Sequence, residues 1–550
     1  MTLKVKKTAA LLCAAVMMLS LAGCGSDTPD EIKGQSAGKE LKQTTAADDV
    51  FTLNYNSEYS MNPLVATSTS NQIVCNLIYE NMIEVDNNFN PIPNVITSWT
   101  TEDGRLWTFT VAEDRYFHDG TKLTAYDVAY SLQSAMNSDR YKGRLYCIGG
   151  CSANDQKSFN VSLYKPDMLF PALLTIPVIK DGSYGAAYPQ GSGPYSYIKK
   201  QNMLSAFKKY YAYDSLPLKT IYLAEYTGVD TIIAAFEDSL IDVVMNDPSA
   251  PTNLGYGAKN EIRGINTTNL HYIAFNMYSR IFSNDAMRNI VTLAIDREAV
   301  VQEQFGGYAL ATTQIISPDS DYYSLSVDVQ NRYNLEKIPG VLKNMGLKDY
   351  DGDGILDMKT SDEELIPMEI NFLICPSSSV KATVARQFQS DMEKLGIKVN
   401  ITELSFNAYK KAVEKGNFDM YYGEVRLGAD FDPSRLVGSG GKLNYGGVMD
   451  TKLDEYISAY LSADDEGRYT AAENMSAYLA NKAYIVPICY EKHQMITHRG
   501  LIEGIMVNEN NPLYNFQNWQ ISFAEIITGS GEEEVEDVEN TAEPQQKAAQ

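Results

Sequence analysis

Histidine is almost missing from this chain. Its 550 residues include four, His118, His271, His493 and His498, with seven cysteines and three tryptophans. No CxxC occurs, and no histidine sits beside a cysteine or an acid pair at a recognisable metal-ligand spacing. HExxH, GxSxG, a Walker loop and a strand–GxGxxG–helix unit are also missing, so the sequence carries no signature of a metallohydrolase, serine hydrolase, nucleotidase or dinucleotide enzyme. No cofactor and no catalytic residue is expected. Positive charge is scarce too: 46 Lys and Arg stand against 70 Asp and Glu, for a formal net charge of −24. That balance disfavours nucleic acid and anionic lipid surfaces, which require basic patches. Long apolar runs are lacking as well. The one candidate, Thr8 to Leu21, falls short of the ~20 residues that span a bilayer.

What the chain does have begins at that short run. Lys4, Lys6 and Lys7 precede it, and Leu21-Ala22-Gly23-Cys24 follows it, with small residues before a cut and a thiol to carry lipid. This predicts a signal peptide over residues 1–23 and a lipidated Cys24. Two or more acyl chains hold a membrane stably. Residues 25–48 are polar and read as a flexible tether with a reach on the order of 25–30 Å. The acidic run EEEVEDVE falls within residues 528–550, which read as a solvated, disordered tail. Once Cys13 and Cys24 are set aside, Cys75, Cys147, Cys151, Cys375 and Cys489 form an odd, scattered set rather than a disulfide framework. Cys147 and Cys151 are close enough to close a small loop, and buried thiols are the plainer reading.

Between tether and tail, strand and helix signals alternate irregularly. Phe51 to Tyr55, Leu106 to Val111, Ile221 to Leu223, Ile370 to Ile374 and Ile397 to Ile401 read as strands. Leu123 to Leu132, Asp230 to Glu237, Ala286 to Phe305 and Val380 to Leu395 carry apolar residues at helical spacing. The pattern is mixed α/β without the rhythm of a single doubly wound sheet. Asp349, Asp351, Asp353 and Asp357 occupy positions 1, 3, 5 and 9 of an EF-hand-like loop, but Thr360 stands where the bidentate Glu belongs. They form a weak calcium candidate, with an Asp/Gly turn as the plainer reading; no other metal ligands are expected.

Several segments together resemble the extracellular solute-binding proteins of peptide ABC importers, the dipeptide/oligopeptide-binding class of bacterial solute-binding family 5. They are Met61-Asn62-Pro63-Leu64, Ile78-Tyr79-Glu80-Asn81, Pro93-Asn94-Val95-Ile96, Phe117-His118-Asp119-Gly120-Thr121, Gly193-Pro194-Tyr195, Ala274-Phe275-Asn276, Leu293-Ala294-Ile295-Asp296-Arg297-Glu298 and Asn444-Tyr445-Gly446-Gly447. The resemblance implies an α/β, periplasmic-binding-protein-like fold of the three-domain, cluster C type, with two hinged lobes and an extra domain over residues 49–527. Lobe I would take 49–82, 193–268 and 496–527, the extra domain 83–192, and lobe II 269–495. His118 and Asp119 would be structural. Relatives hold the ligand's α-ammonium with an Asp that best matches Asp430, in Ala429-Asp430-Phe431. Arg426, Glu424 and Asp432 lie in the same stretch, and Arg426 would serve a ligand carboxylate or hold Glu424 or Asp430. Ser68, Thr69 and Asn246 belong to two further segments that resemble ligand-lining regions. The implied function is capture of a peptide ligand by a monomer held on the extracytoplasmic face of the cell membrane through Cys24, with delivery to an ABC permease driven by cytoplasmic ATPases. The alternatives are another solute on the same scaffold (a nickel chelate, an opine or an oligosaccharide), or a surface enzyme or chaperone.

Overall fold

The computed structural model describes residues 49–249, 260–376 and 378–523. The expected signal peptide, lipidated Cys24, tether and acidic tail lie outside these residues, as do the last positions expected of lobe I. Among the described residues no helix is long and apolar enough to cross a membrane.

One 11-stranded sheet organises the chain. Its path runs Lys398–Glu403, Glu369–Ile374, Met420–Arg426, Asn260–Phe275, Ile485–His498, Val243–Asn246, Thr52–Tyr55, Thr220–Glu225, Met203–Ala206 and Tyr195–Ile198. Ala309–Ala311 pairs separately with Ile485–His498. Thr52–Tyr55 is parallel to Thr220–Glu225, and Glu369–Ile374 to Lys398–Glu403, while the centre is antiparallel. This mixture explains the irregular alternation in the sequence, because hairpins and crossovers feed the same sheet.

The two central strands are unusually long, 16 and 14 residues. They pair from Asn260↔His498 to Ala274↔Ile485, with irregularities between Asn266 and Leu270 and between His271 and Tyr272. Val243–Asn246 joins near one end, through Val243↔Thr497 to Asn246↔Gln494. Met420–Arg426 joins near the other, from Asn269↔Arg426 to Phe275↔Met420. Each long strand therefore serves two half-sheets and their separate cores. Phe51, Leu53, Ile221, Ile265 and Met495 belong to one apolar cluster, and Ile273, Phe372, Phe388 and Val486 to another. A second sheet of four strands, Ile96–Thr101, Leu106–Val111, Ser158–Leu163 and Ile148–Ala153, packs on the first cluster. Trp107, Phe109 and Val111 alternate inward as the period of two requires.

Local signals set the element boundaries. Thr124 and Asp127 form a reciprocal capping box at the start of the Ala125–Asn137 helix. Gly193 passes so close to the carbonyls of Leu77 and Ile78 that a Cβ would overlap them, which accounts for glycine in Gly193-Pro194-Tyr195. One expectation is corrected. Ala286 to Phe305 is not one helix but two, Asp285–Ala294 and Arg297–Gln304. Ile295 is extended between them, and Asp296 caps the second by accepting from the Ala299 N–H at 3.0 Å. The buried Arg297 guanidinium then donates to the Thr292, Ile295 and Pro487 carbonyls, so two of the carbonyls at the break find a donor there.

Candidate functional site

A cavity of about 420 Å³ opens between the end of the Met420–Arg426 strand, the 139–146 segment, residues 85–89 and residues 508–510. Its wall is shaped by a turn just past the strand. The Phe431 N–H donates to the Gly428 carbonyl at 3.0 Å, and Phe431 takes a left-handed φ of 51°. Packing holds that conformation: the Phe431 ring stands edge-on to Phe89 at 5.0 Å and to Tyr490 at 5.8 Å. Glycine at 428 makes room for the Asp430 carboxyl and Leu173, either of which a Cβ there would have to displace. Asp432 then starts the short Ser434–Val437 helix, its Oδ1 accepting from Ser434 N at 2.8 Å and Ser434 Oγ at 2.5 Å.

Acids gather on one side of this cavity. Asp430 is buried, and its carboxyl is held well above the usual range, first by burial and then by the neighbouring charges of Asp167 and Asp432. Burial also pushes Asp167 up to about 7, although the Leu169 N–H donates to it at 2.8 Å. Burial and mutual repulsion in such a cluster disfavour negative charge until a cation arrives. The Tyr146 hydroxyl donates to Asp432 from the opposite wall. Elsewhere in the lining stand the guanidinium groups of Arg140, Arg144, Arg426 and Arg435, among the carboxylates of Asp86, Asp139 and Glu509. Arg144 is fixed by donation to Thr175 Oγ1 at 2.8 Å and to the Thr175 carbonyl at 3.0 Å, and burial lowers it only to about 10, so it stays charged. Arg140 donates to the Ala66 carbonyl, and Arg435 to that of Gly143. Among the described residues neither these two nor Arg144 forms an ion pair with a carboxylate.

The structure brings Asp430, Asp432 and Arg426 to one cavity and places the other expected residues elsewhere. Arg426 holds neither Glu424 nor Asp430; its Nε pairs with Glu509 at 2.8 Å. Glu424 faces a neighbouring cavity of about 390 Å³ with Tyr272, Tyr409, Tyr421 and Tyr445. There it pairs with Lys381 at 2.7 Å and accepts from Asn269 at 2.9 Å. Burial works to raise its pKa, but His271, Lys381 and Asn269 outweigh burial and leave it lowered. Asn246 is buried in the sheet and donates to Gln494 at 2.7 Å. Ser68 caps the Thr69–Ile78 helix, and Thr69 is its exposed first residue; Gln72, one turn on, reaches the cavity. Sequence reasoning missed Asp167, Tyr146 and the arginines of the 139–146 segment. The available signal was Arg140-Tyr-Lys-Gly-Arg144, a basic run in a strongly acidic chain.

The remaining candidates also have definite positions. His118 Nε2 donates to the Gly193 carbonyl at 3.0 Å, and burial draws its pKa down to about 4; Asp119 closes its own turn onto Thr121, which fits the structural reading of both. Oxygens of Asp349, Asp351 and Asp353 converge within 4.8 Å. Asp357 is instead buried and accepts from Tyr350 N at 3.0 Å. The loop is largely closed on itself, Asp349 accepting from Gly352 N at 2.6 Å and Gly354 N at 3.1 Å. Cys147 and Cys151 are free thiols in this structure, like Cys75, Cys375 and Cys489.

Comparison with known proteins agrees with this architecture. The model of "Bacterial extracellular solute-binding proteins, family 5 Middle" matches residues 90–442. The oligopeptide-binding protein AppA of Bacillus subtilis is 22% identical over 563 residues, covering 94% of this chain and 100% of AppA. Its structure in complex with a nonapeptide superposes with a TM-score of 0.61 at 20% identity, over 86% of this chain and 99% of that one. The periplasmic murein tripeptide-binding protein MppA, in an unliganded open form, gives a TM-score of 0.70 at 16% identity, covering 87% and 98%. NikZ from Campylobacter jejuni in complex with Ni(L-His) gives 0.61 at 18% identity, covering 86% and 99%.

Proposed function

From the premise that the chain belongs to the bacterial extracellular solute-binding proteins, family 5, we propose that it captures short peptides outside the cytoplasm and hands them to an ABC permease powered by cytoplasmic ATPases. One observation carries the choice of ligand: a cavity of about 420 Å³ holds the buried Asp430, with Asp432 beside it, and also Arg140, Arg144 and Arg435, which among the described residues form no ion pair with a carboxylate. A peptide of variable side chains offers only its backbone and two opposite terminal charges as constant features, and this cavity complements the latter. Asp430, backed by Asp167 and Asp432, receives the α-ammonium. Arg140, Arg144 or Arg435 receives the carboxylate, while Arg426 stays with Glu509. Among the described residues no histidine lines the cavity, which disfavours a nickel chelate held by protein imidazole.

The long strands Asn260–Phe275 and Ile485–His498 serve as the hinge between lobe I (49–82, 193–268, 496–527) and lobe II (269–495), with 83–192 as the extra domain. Supporting this reading, each strand joins two half-sheets with distinct cores. Lipid on Cys24 keeps the protein beside its permease, and it acts there as a monomeric binding module rather than an enzyme. Calorimetry with a tripeptide and with its N-acetylated and C-amidated forms tests the ligand assignment. Weaker binding of both blocked forms supports it, and equal binding of all three overturns it.

A further inference from the structure

The scarcity of histidine makes the placement of His493 informative. On the Ile485–His498 strand, His493 and Glu491 point to the same side, and Asp247 follows the adjacent Val243–Asn246 strand. One ligand atom from each of Asp247, Glu491 and His493 lies within 4.8 Å of the others. None of the three lines the peptide cavity. Glu491 is fully buried. Its Oε2 accepts from His271 Nε2 and Asn269 Nδ2, each at 3.1 Å, and His271 is oriented in turn by the Tyr422 hydroxyl at 3.2 Å. Its Oε1 is different. It is buried and lies 3.0 Å from His493 Nε2, an ion-pair contact whose geometry falls short of a hydrogen bond. A nitrogen and an oxygen at about 3 Å have the separation of neighbouring ligands around a metal with bonds of about 2.0–2.2 Å. Asp247 presents its carboxylate with Oδ1 fixed by Ser249 N and Ser249 Oγ, both at 2.8 Å.

We propose that Asp247, Glu491 and His493 form a binding site for one divalent transition-metal cation of the zinc class, separate from the peptide cavity. Two carboxylates and a neutral imidazole balance the charge of such a cation, and their mixed oxygen–nitrogen donor set favours it over calcium or magnesium. The bonds from His271 and Asn269 to Glu491 are the supporting contacts that a metal-bound carboxylate normally carries. The cation bridges Val243–Asn246 to one of the two strands that cross between the half-sheets, and so stiffens that crossing.

The test uses the full-length protein, extracted in detergent, stripped with chelator and titrated with Zn²⁺ or Co²⁺ alone. One equivalent of Zn²⁺ should bind and raise the melting temperature reversibly to chelator. Co²⁺ should develop the visible absorption of a low-coordinate nitrogen–oxygen site. His493→Ala and the isosteric Glu491→Gln should each abolish the Co²⁺ band, whereas Asp349→Asn, in the other acid cluster, should leave it intact. Weakening the support with Asn269→Ala should lower affinity about 10- to 100-fold. Failure of the wild-type protein to bind an equivalent overturns the proposal without any variant. A band that survives both His493→Ala and Glu491→Gln, or that disappears in Asp349→Asn, overturns it too.

Discussion

Replacing Asp430 with Asn should separate its role in binding from its role in the fold. The carboxyl is buried beside Asp167 and Asp432, and its burial and their charges hold its pKa well above the usual range. Without ligand its surroundings therefore disfavour the carboxylate form, and Asn is nearly isosteric with the neutral acid, so melting of the unliganded protein should not fall. With ligand the carboxylate must ionise to meet an ammonium. A hydrogen bond to a charged group contributes about 1.5–3 kcal/mol, or about 10- to 150-fold in affinity. Part of this is spent in releasing the proton, which places the expected loss for Asp430→Asn toward the lower end, about tenfold. The released proton gives a second readout. Where the free protein holds a proton that the complex has lost, affinity rises with pH, by at most about tenfold per unit for each proton released. The rise should run where the free protein still holds the proton and the complex does not, and level off once the free group ionises, which for Asp167 is at about 7. Calorimetry in buffers of different ionisation enthalpy at several pH values counts those protons. Wild type should release close to one on binding a free peptide, and Asp430→Asn or an N-acetylated peptide should release fewer. The two losses of affinity should not add. Wild-type affinity of Asp430→Asn for both free and acetylated peptide would refute the assignment, as would unchanged proton release.

Further outcomes follow from other positions. Gly428→Ala should weaken peptide binding at least about tenfold, because its Cβ must displace the Asp430 carboxyl or Leu173 and overpacking costs about 1–3 kcal/mol; unchanged binding in the same titration would mean that the carboxyl is not the contact. Glu84 is buried, with burial pushing it up to about 7 against donation from Asn511, Asn81 and Asn508. The unfolded chain releases this proton near its ordinary value of about 4.3, so stability should fall as pH rises from about 4.5 to about 7, by up to about 3 kcal/mol from this group. Denaturant midpoints at several pH values should therefore show a shallower fall for Glu84→Gln than for wild type. Cys24→Ser should leave unprocessed precursor or release the protein from the membrane; unchanged detergent-phase partitioning would count against the anchor.

How far the sequence could be read depended on the range of the interaction involved. The Thr124–Asp127 box, the alternation of Leu106–Val111 and the Asp/Gly turn at 349–357 are local, and each element appears where its residues place it. The Ala286 to Phe305 stretch misled because apolar spacing continues through Ile295, while the break depends on Arg297 reaching the carbonyl of Pro487, 190 residues away. The binding stretch was legible in the same uneven way. Gly428 to Asp432 is one turn, so its acids travel together, and Asp430 was visible as a candidate from the motif. Its environment was not: Asp167 and Tyr146 come from the 83–192 region, and nothing near Asp430 in sequence announces them. Glu424 and Arg426 show the limit most directly. They are two residues apart on one strand and so share a face, yet one turns to Lys381 and the second cavity and the other to Glu509 and the first. Sequence spacing gave them a common role, and partners arriving from different parts of the chain assign them different ones. The buried Glu491 follows the same logic, since His271 and Asp247 reach it across more than 200 residues. A metal spacing sought along the chain could not have revealed a ligand set that pairing between strands assembles.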